Sequence, residues 1–425
     1  MSVCGAYGCV PLAAKPCGLL TEPGGMSQRS CAYFGARYVL GPVKEALHLV
    51  HGPVGCLSYG QMVRGQREPL LGTATGEAEI IFGGLARLRR ALYEGLSLFP
   101  EVRGAFLYAT CATGLTGEDL STVAREVEEE TKKRVLVLDC PGFSHPTQAG
   151  GHALAYRALS SLVREGERAA APVVNLVGEY NVAGEAEEIV RLLAALGVRV
   201  HTVLTGKTRL SEIETLTRAR LNLLFCGSTA RDFAEDLKSR FGMPWIKVSF
   251  YGLSATSASL RKVAEALGLS GSAVEELIAR EEAGVREWLR PRLPLFSGKR
   301  ALLVLGAGRV GPLARLLREL GFEVVGAASI FGTPRDHEEA APYSGFLTDD
   351  PGDDEVERLL SLLKPDLVLT NAREVWRVIK FGFPALSFPQ EKRRGGYAGY
   401  RGLLNLARDI ERVLTAPVFR LPPLV

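Results

Sequence analysis

From about residue 29 onward the chain alternates short apolar runs with amphipathic stretches almost without interruption. Parallel strands need a long connection, which a helix supplies, so this alternation predicts parallel sheets with helical crossovers. The runs Val102–Cys111, 134–140, Val173–Val177, Val198–Leu204, Leu221–Cys226 and Trp245–Phe250 read as strands. Helices are expected after Thr147 and over Glu185–Leu196, Arg231–Phe241 and Ser254–Leu267. A long charged helix over about 271–290 stops before Pro291 and Pro294. The fold class is therefore α/β, with three Rossmann-like domains built on parallel sheets. The domain limits follow shifts in composition. Residues 1–28 form a Gly/Pro-rich leader, and 29–168 a first domain that ends in a charged segment. Residues 169–290 form a second domain with the charged helix as linker, and 291–425 a third.

Eight cysteines occur in a chain whose N-terminus lacks the basic region and long apolar core of a secretory signal. That predicts a reducing, cytoplasmic setting and metal or redox roles, not a disulfide framework. No apolar run is long enough to span a membrane. The net charge of +4 on 425 residues is mild and argues against a nucleic-acid surface. Lys132-Lys133-Arg134 and Lys392-Arg393-Arg394 read by default as solvated faces.

Cys31 and Cys56 bracket the next feature. Gly41-Pro42 reads as a helix start, Val43, Ala46, Leu47 and Val50 recur at helical spacing, and Gly52-Pro53 reads as the stop. The two cysteines are thus expected on loops at the two ends of one compact helix. The small residues Ala32, Gly35 and Gly55 let the backbone come close to a bulky inorganic group. Cys111 closes a buried strand, and ligands in open α/β sheets sit at the carboxyl ends of strands. Three such thiolates suit one iron–sulfur cluster; buried, inert cysteines are the alternative. Cys226 also ends a strand, ahead of Gly227-Ser228-Thr229, where packing alone is the plain reading. Cys140 is read as structural, and His48 and His51, flanking that helix, as core or capping residues. Cys4, Cys9 and Cys17 lack a fourth ligand, so a flexible leader is expected there in preference to a metal site.

Gly306, Gly308 and Gly311 spell G-x-G-x-x-G between a strand and a helix. A dinucleotide site needs an acid about 20 residues on, at the end of the second strand, to hold the ribose. Here Val324–Ser329 ends without a carboxylate. Tight strand–helix packing explains the glycines equally well, and a nucleotide-binding module is disfavoured. With no Walker-type motif present, ATP use is left to a partner.

C-A-Y-x-G-A, H-L-V-H-G-P-V-G-C, T-C-x-T-G-L-x-G-E-D-L, P-G-F, G-E-Y-N-V-A-G-E and Y-A-G-Y-R-G follow one another along nearly the whole chain. Together they resemble component 1 of the nitrogenases and nitrogenase-like reductases. The resemblance is nearest to the E-type subunit of the scaffold on which the iron–molybdenum cofactor is matured, with the catalytic α subunit next. It implies that Cys31, Cys56 and Cys111 bind a [4Fe-4S]-type cluster at the contact with a homologous β-like subunit, which supplies the remaining ligand. It also implies that Cys226 is the one thiolate holding a large iron–sulfur cofactor or its precursor, in a cavity between the three domains. Arg64, eight residues after Cys56, is then cofactor-facing, with five donors for an anionic cluster. Gln148 and His152 become candidate hydrogen-bond or proton donors toward it. Counting back from Tyr397, the family's metal-ligating histidine falls at Pro389, and no histidine follows His337. Lys392 and Arg393 instead suit homocitrate or another carboxylate. The expectation is a scaffold subunit for maturation of the iron–molybdenum or a related cofactor, with an ATP-dependent iron protein as electron donor. The competing expectation is an α-like catalytic subunit of a nitrogenase or nitrogenase-like reductase.

Overall fold

The computed structural model describes residues 30–63, 68–144, 147–227, 229–372, 374–388 and 395–420. It also describes the backbone of two short antiparallel strands, Val3–Gly5 and Gly8–Val10, in which Cys4 pairs with Cys9. The side chains of Cys4 and Cys9, and all of Cys17, lie outside the described residues.

Three further sheets carry the fold. The first has strands β1 (Ala46–His51), β2 (Leu70–Gly72), β3 (Gly104–Ala109) and β4 (Arg134–Asp139) in the order β2-β1-β3-β4, all parallel. Every residue of β1 and β3 is buried, as a parallel sheet covered on both faces requires. The second has β5 (Val173–Glu179), β6 (Arg199–Thr205), β7 (Leu221–Leu224) and β8 (Trp245–Lys247) in the order β8-β7-β5-β6. The third has β9 (Arg300–Gly306), β10 (Glu323–Ile330), β11 (Leu347–Asp349), β12 (Leu367–Thr370) and β13 (Ala385–Ser387) in the order β11-β10-β9-β12-β13, again parallel. This is the doubly wound arrangement, with strands added outward on both sides of the first. The chain divides into two compact units. Ser30–Tyr180 with Val200–Trp245 holds the first sheet and nearly all of the second, and Asn181–Arg199 with Ile246–Val425 holds the third.

The expected helix between Cys31 and Cys56 is corrected. Helix α1 (Ala32–Leu40) ends at Gly41, the chain turns with Glu45 at a φ of 65°, and residues Ala46–His51 are the central strand β1. An apolar run this short, buried on both faces, has no period that separates strand from helix. His48 and His51 are accordingly core residues of a strand and flank no helix. His48 Nδ1 bonds Tyr108 Oη at 2.8 Å, and His51 bridges Thr73 (3.0 Å) and Glu118 (2.9 Å).

In order along the chain, the helices that matter for the site after α1 are α2 (Val54–Gln61), α3 (Glu77–Phe82), α4 (Cys111–Thr116), α5 (Gln148–Ser160) and α6 (Arg231–Phe241). Helices α1 and α5 lie against each other backbone to backbone. A Cβ at Gly35 would stand 2.1 Å from the Gln148 carbonyl oxygen, and one at Gly151 would stand 1.9 Å from that of Ala32. Gly35 thus serves helix packing and leaves no space for a bound group, whereas Gly55 has nothing within 4 Å. Gly35→Ala overpacks this crossing and should cost roughly 1–3 kcal/mol. Urea unfolding measures it, and an unchanged midpoint would show that the helices do not meet there.

Candidate metal centre

Strands β1, β3 and β4 run in register to His51, Ala109 and Asp139, so the segments that leave them emerge at one edge of the sheet. The first passes through Gly52-Pro53 into α2, which carries Cys56 in its first turn. The second enters α4, whose first residue is Cys111. The third gives Cys140, Pro141 and Gly142. Cys31 is the N-cap of α1. All three candidate thiols therefore sit at helix N-termini, which point free backbone amides toward them.

The thiols converge. The Gly142 amide donates to Cys111 Sγ at 3.1 Å. A Cβ on Gly142 would lie 3.5 Å from both Cys111 Sγ and Cys31 Cβ, so these two cysteines flank one hollow. Cys56 bonds Thr110, and its thiol pKa is pushed up by burial, an effect the Thr110 bond opposes and the nearby Cys111 and Cys31 reinforce. Three thiolates this close repel one another unless a cation joins them. Among the described residues no three Cys, His, Asp or Glu side chains close on a point as a single ion would need. The donor set instead fits an iron–sulfur cluster, in which each thiolate takes a different iron. Cys140 is not part of the set. It is fully buried, and its thiol faces the carbonyls of Ala109 (3.2 Å) and Leu138 (3.4 Å). Beside the cysteines the chain exposes Val54, Leu115 and Phe143, each more than half accessible.

Cys226 lies two residues beyond β7, and Tyr180 one residue beyond the adjacent β5. Cys226 Sγ is 3.0 Å from Thr229 Oγ1, and Tyr180 Oη bonds both Thr229 and Tyr156. Gly178, at a φ of +80°, lets the chain pass here, since a Cβ on it would be 3.1 Å from Cys226 Cβ. Gln148 and His152 stand one turn apart on α5, 3.2 Å apart through Nε2 and Nε2. The His152 ring stacks on Tyr38 at 5.7 Å and lies 6.1 Å from Tyr180. Gln148, His152 and Cys226 are thereby joined into one neighbourhood through Tyr180. Burial alone pulls the His152 pKa down to about 3. The ring is then neutral, with Nε2 accepting from the Gln148 amide, and is a hydrogen-bonding group more than a carrier of charge at neutral pH.

Arg64, Pro389, Lys392 and Arg393 lie outside the described residues. The sequence singles out neither Tyr38 nor Tyr180, and it marks Thr229 only as part of the turn after Cys226. Tyr38 and Tyr180 stand in or beside motifs that were legible, C-A-Y-x-G-A and G-E-Y-N-V-A-G-E, but a tyrosine there carries no signal of its own.

The glycine turn of the third sheet packs as the sequence allows. A Cβ on Gly311 would meet Glu339 Cγ at 2.8 Å, whereas Gly306 has only the Phe331 ring at 3.9 Å. The end of β10 carries Ser329, whose hydroxyl donates to buried Asp349 on β11 at 2.6 Å. The same Asp349 oxygen takes the Gly332 amide at 2.8 Å.

A doubly wound α/β fold with strand-end cysteines on two neighbouring sheets defines a class of cluster-binding oxidoreductases. The chain matches the family described as nitrogenase component 1 type oxidoreductase over residues 31–415, and it belongs to that family. It is 35% identical to the nitrogenase molybdenum–iron protein alpha chain of Methanothermobacter thermautotrophicus, over 95% of this chain and 92% of that one. It is 33% identical to the nitrogenase iron–molybdenum cofactor biosynthesis protein NifE of Methanococcus maripaludis, over 95% and 87%. A solved structure described as nitrogenase Cp1 at pH 5 superposes with a TM-score of 0.87 at 27% identity, over 96% of this chain and 92% of that one.

With Gly311 committed to helix packing and no acid at the end of β10, NAD(P) and ATP should show no saturable binding to the isolated chain. A micromolar constant from calorimetric titration would overturn that reading.

Proposed function

We propose that this chain is a scaffold subunit on which an iron–sulfur precursor of the iron–molybdenum cofactor, or of a related one, is held and passed on. Cys31, Cys56 and Cys111 would hold a [4Fe-4S] cluster, with the remaining ligand from a homologous β-like subunit. The exposed Val54, Leu115 and Phe143 offer that subunit an apolar seat around the cysteines. Cys226 would hold the precursor, with Gln148 and His152 as its hydrogen-bonding neighbours and Arg64 as a further donor. Lys392 and Arg393 would hold a carboxylate such as homocitrate. An ATP-dependent iron protein would deliver electrons in the cytoplasm. Among the described residues no helix is long and apolar enough to cross a membrane.

The observation that carries the scaffold over the enzyme is the ligand set. Cys226 is a lone strand-end thiolate, Pro389 stands where a histidine would lock the mature cofactor, and no histidine follows His337. One thiolate tethers a cluster so that an acceptor can displace it. His152 points the other way, since a histidine at this position is more typical of the catalytic subunit than of the scaffold. The second reading, an α-like catalytic subunit, is favoured by the 35% identity to an alpha chain.

Two variants of the anaerobically purified complex separate these statements. Cys56→Ala should lose iron and the reduced-state cluster spectrum while leaving the Cys226 neighbourhood loadable; unchanged iron would end the assignment of the three cysteines. Cys226→Ala should abolish precursor loading, and the loaded wild type should donate its cluster to a cofactor-free acceptor. Sustained acetylene or dinitrogen reduction with the cluster retained throughout would decide for the catalytic subunit instead.

A further inference from the structure

Helix α1 carries a charge that nothing among the described residues balances. Arg37 is completely buried, and it heads the large side chains sealed in the interior. Its Nη1 reaches Tyr108 Oη only at 3.5 Å, and its Cζ lies 5.4 Å from the Tyr108 ring centroid. Nε and Nη2 have no hydrogen-bond partner among the described residues, and no carboxylate pairs with the guanidinium there. A guanidinium does not give up its proton in a protein. A buried cation without a counter-ion is among the costlier arrangements a core can hold. The carbonyl end of α1, where Arg37 sits in the last turn, supplies a partial negative charge and no more. The nearby His48 ring is held neutral, its pKa well below the usual value through burial and Arg37 itself.

One turn back on the same face of α1 stands Tyr33, 2% exposed, its hydroxyl also without a partner among the described residues. Its ring meets Tyr108 edge-on at 5.6 Å. The Tyr33 hydroxyl interacts electrostatically with Arg37 and also with Cys56 and Cys140. The helix rise of about 1.5 Å per residue sets Arg37 roughly 9 Å along α1 from Cys31. Over that distance in a dry interior a unit charge is still strongly felt. Two orphan donors, four residues apart, thus line the side of α1 that leads to the cysteines. What they lack is an anion, and a cluster on three thiolates is one.

We infer that the cluster held by Cys31, Cys56 and Cys111 is the counter-ion of Arg37, and that Arg37, with Tyr33 between, is a positioning charge that raises the cluster's reduction potential. The inference rests on the cluster assignment proposed above. Reduction adds a negative charge to the cluster, and a fixed positive charge nearby stabilises the reduced state.

Redox titration of the purified complex, followed by the paramagnetic signal of the reduced cluster, measures it, with iron content determined for every variant. Arg37→Met should shift the midpoint to lower potential with iron retained, and Arg37→Lys, which keeps the charge, should leave it near the wild-type value. Val63→Glu gives a second route that keeps Arg37. A Cβ on Gly41 would lie 3.5 Å from Val63 Cγ1 and 3.7 Å from Arg37 Nη2, so both border one spot. A carboxylate there should neutralise the guanidinium and lower the potential as Arg37→Met does. Should Arg37→Met not accumulate, Val63→Glu decides. An unmoved midpoint in either variant with iron present overturns the inference, as does a shift in Arg37→Lys equal to that in Arg37→Met, which would mark a packing effect. A wild-type complex with no reducible cluster overturns the cluster assignment itself, and the inference with it.

Discussion

Where α1 and α5 cross, Gly35 and Gly151 let one backbone rest on the carbonyl oxygens of the other, and no side chain larger than hydrogen fits. That contact fixes two sites at once. Cys31 caps one end of α1, while Tyr38 near the other end stacks on His152, which α5 presents together with Gln148. Nine residues of helix span about 13 Å, so the cysteine trio and the Cys226 neighbourhood are held apart by a short rigid strut. Close-packed interiors do not deform smoothly. Disturbing the crossing would therefore shift both sites together.

The sheets explain why the thiols appear where they do. Parallel strands in register bring their carboxyl ends to one edge, and helices starting there aim free amides at whatever lies beyond. In the first sheet that edge receives Cys56, Cys111 and Gly142; in the second it receives Tyr180 and Cys226. The third sheet has the same construction, but its glycine turn is spent on bringing a helix close to Glu339, and the strand-end carboxylate of Asp349 is buried and hydrogen-bonded to Ser329 and Gly332. A shared architecture thus carries two candidate sites on the first two sheets, while the glycine turn of the third serves packing.

Much of this was legible from the chain. Arg231–Phe241 begins and ends as a helix at the residues the pattern named, because an amphipathic stretch of that length has a period to read. Ala46–His51 was misread as helix because six consecutive buried residues have none. The cysteines could be picked out by their chemistry and their places after apolar runs, but their convergence on Gly142 depends on strand register, which a single sequence does not print. Arg37 was invisible for a different reason. Within Ala32–Leu40 an arginine reads as the solvent-facing residue of the helix, and only the fold shows that α1 has no such face at that position.

The two thiolate sites differ in how firmly they can hold a cluster. At the first, three helix-borne thiols on separate elements would each bind a different iron, so release would require several bonds to break together. At the second, a single thiol follows a strand, bonded to Thr229 and bordered by tyrosines that offer hydroxyls. Breaking one iron–thiolate bond is a step an incoming ligand can take over directly, by binding as the first leaves. A fixed group is therefore expected where the cysteines converge and a transferable one at Cys226, which is the division of labour an assembly scaffold requires.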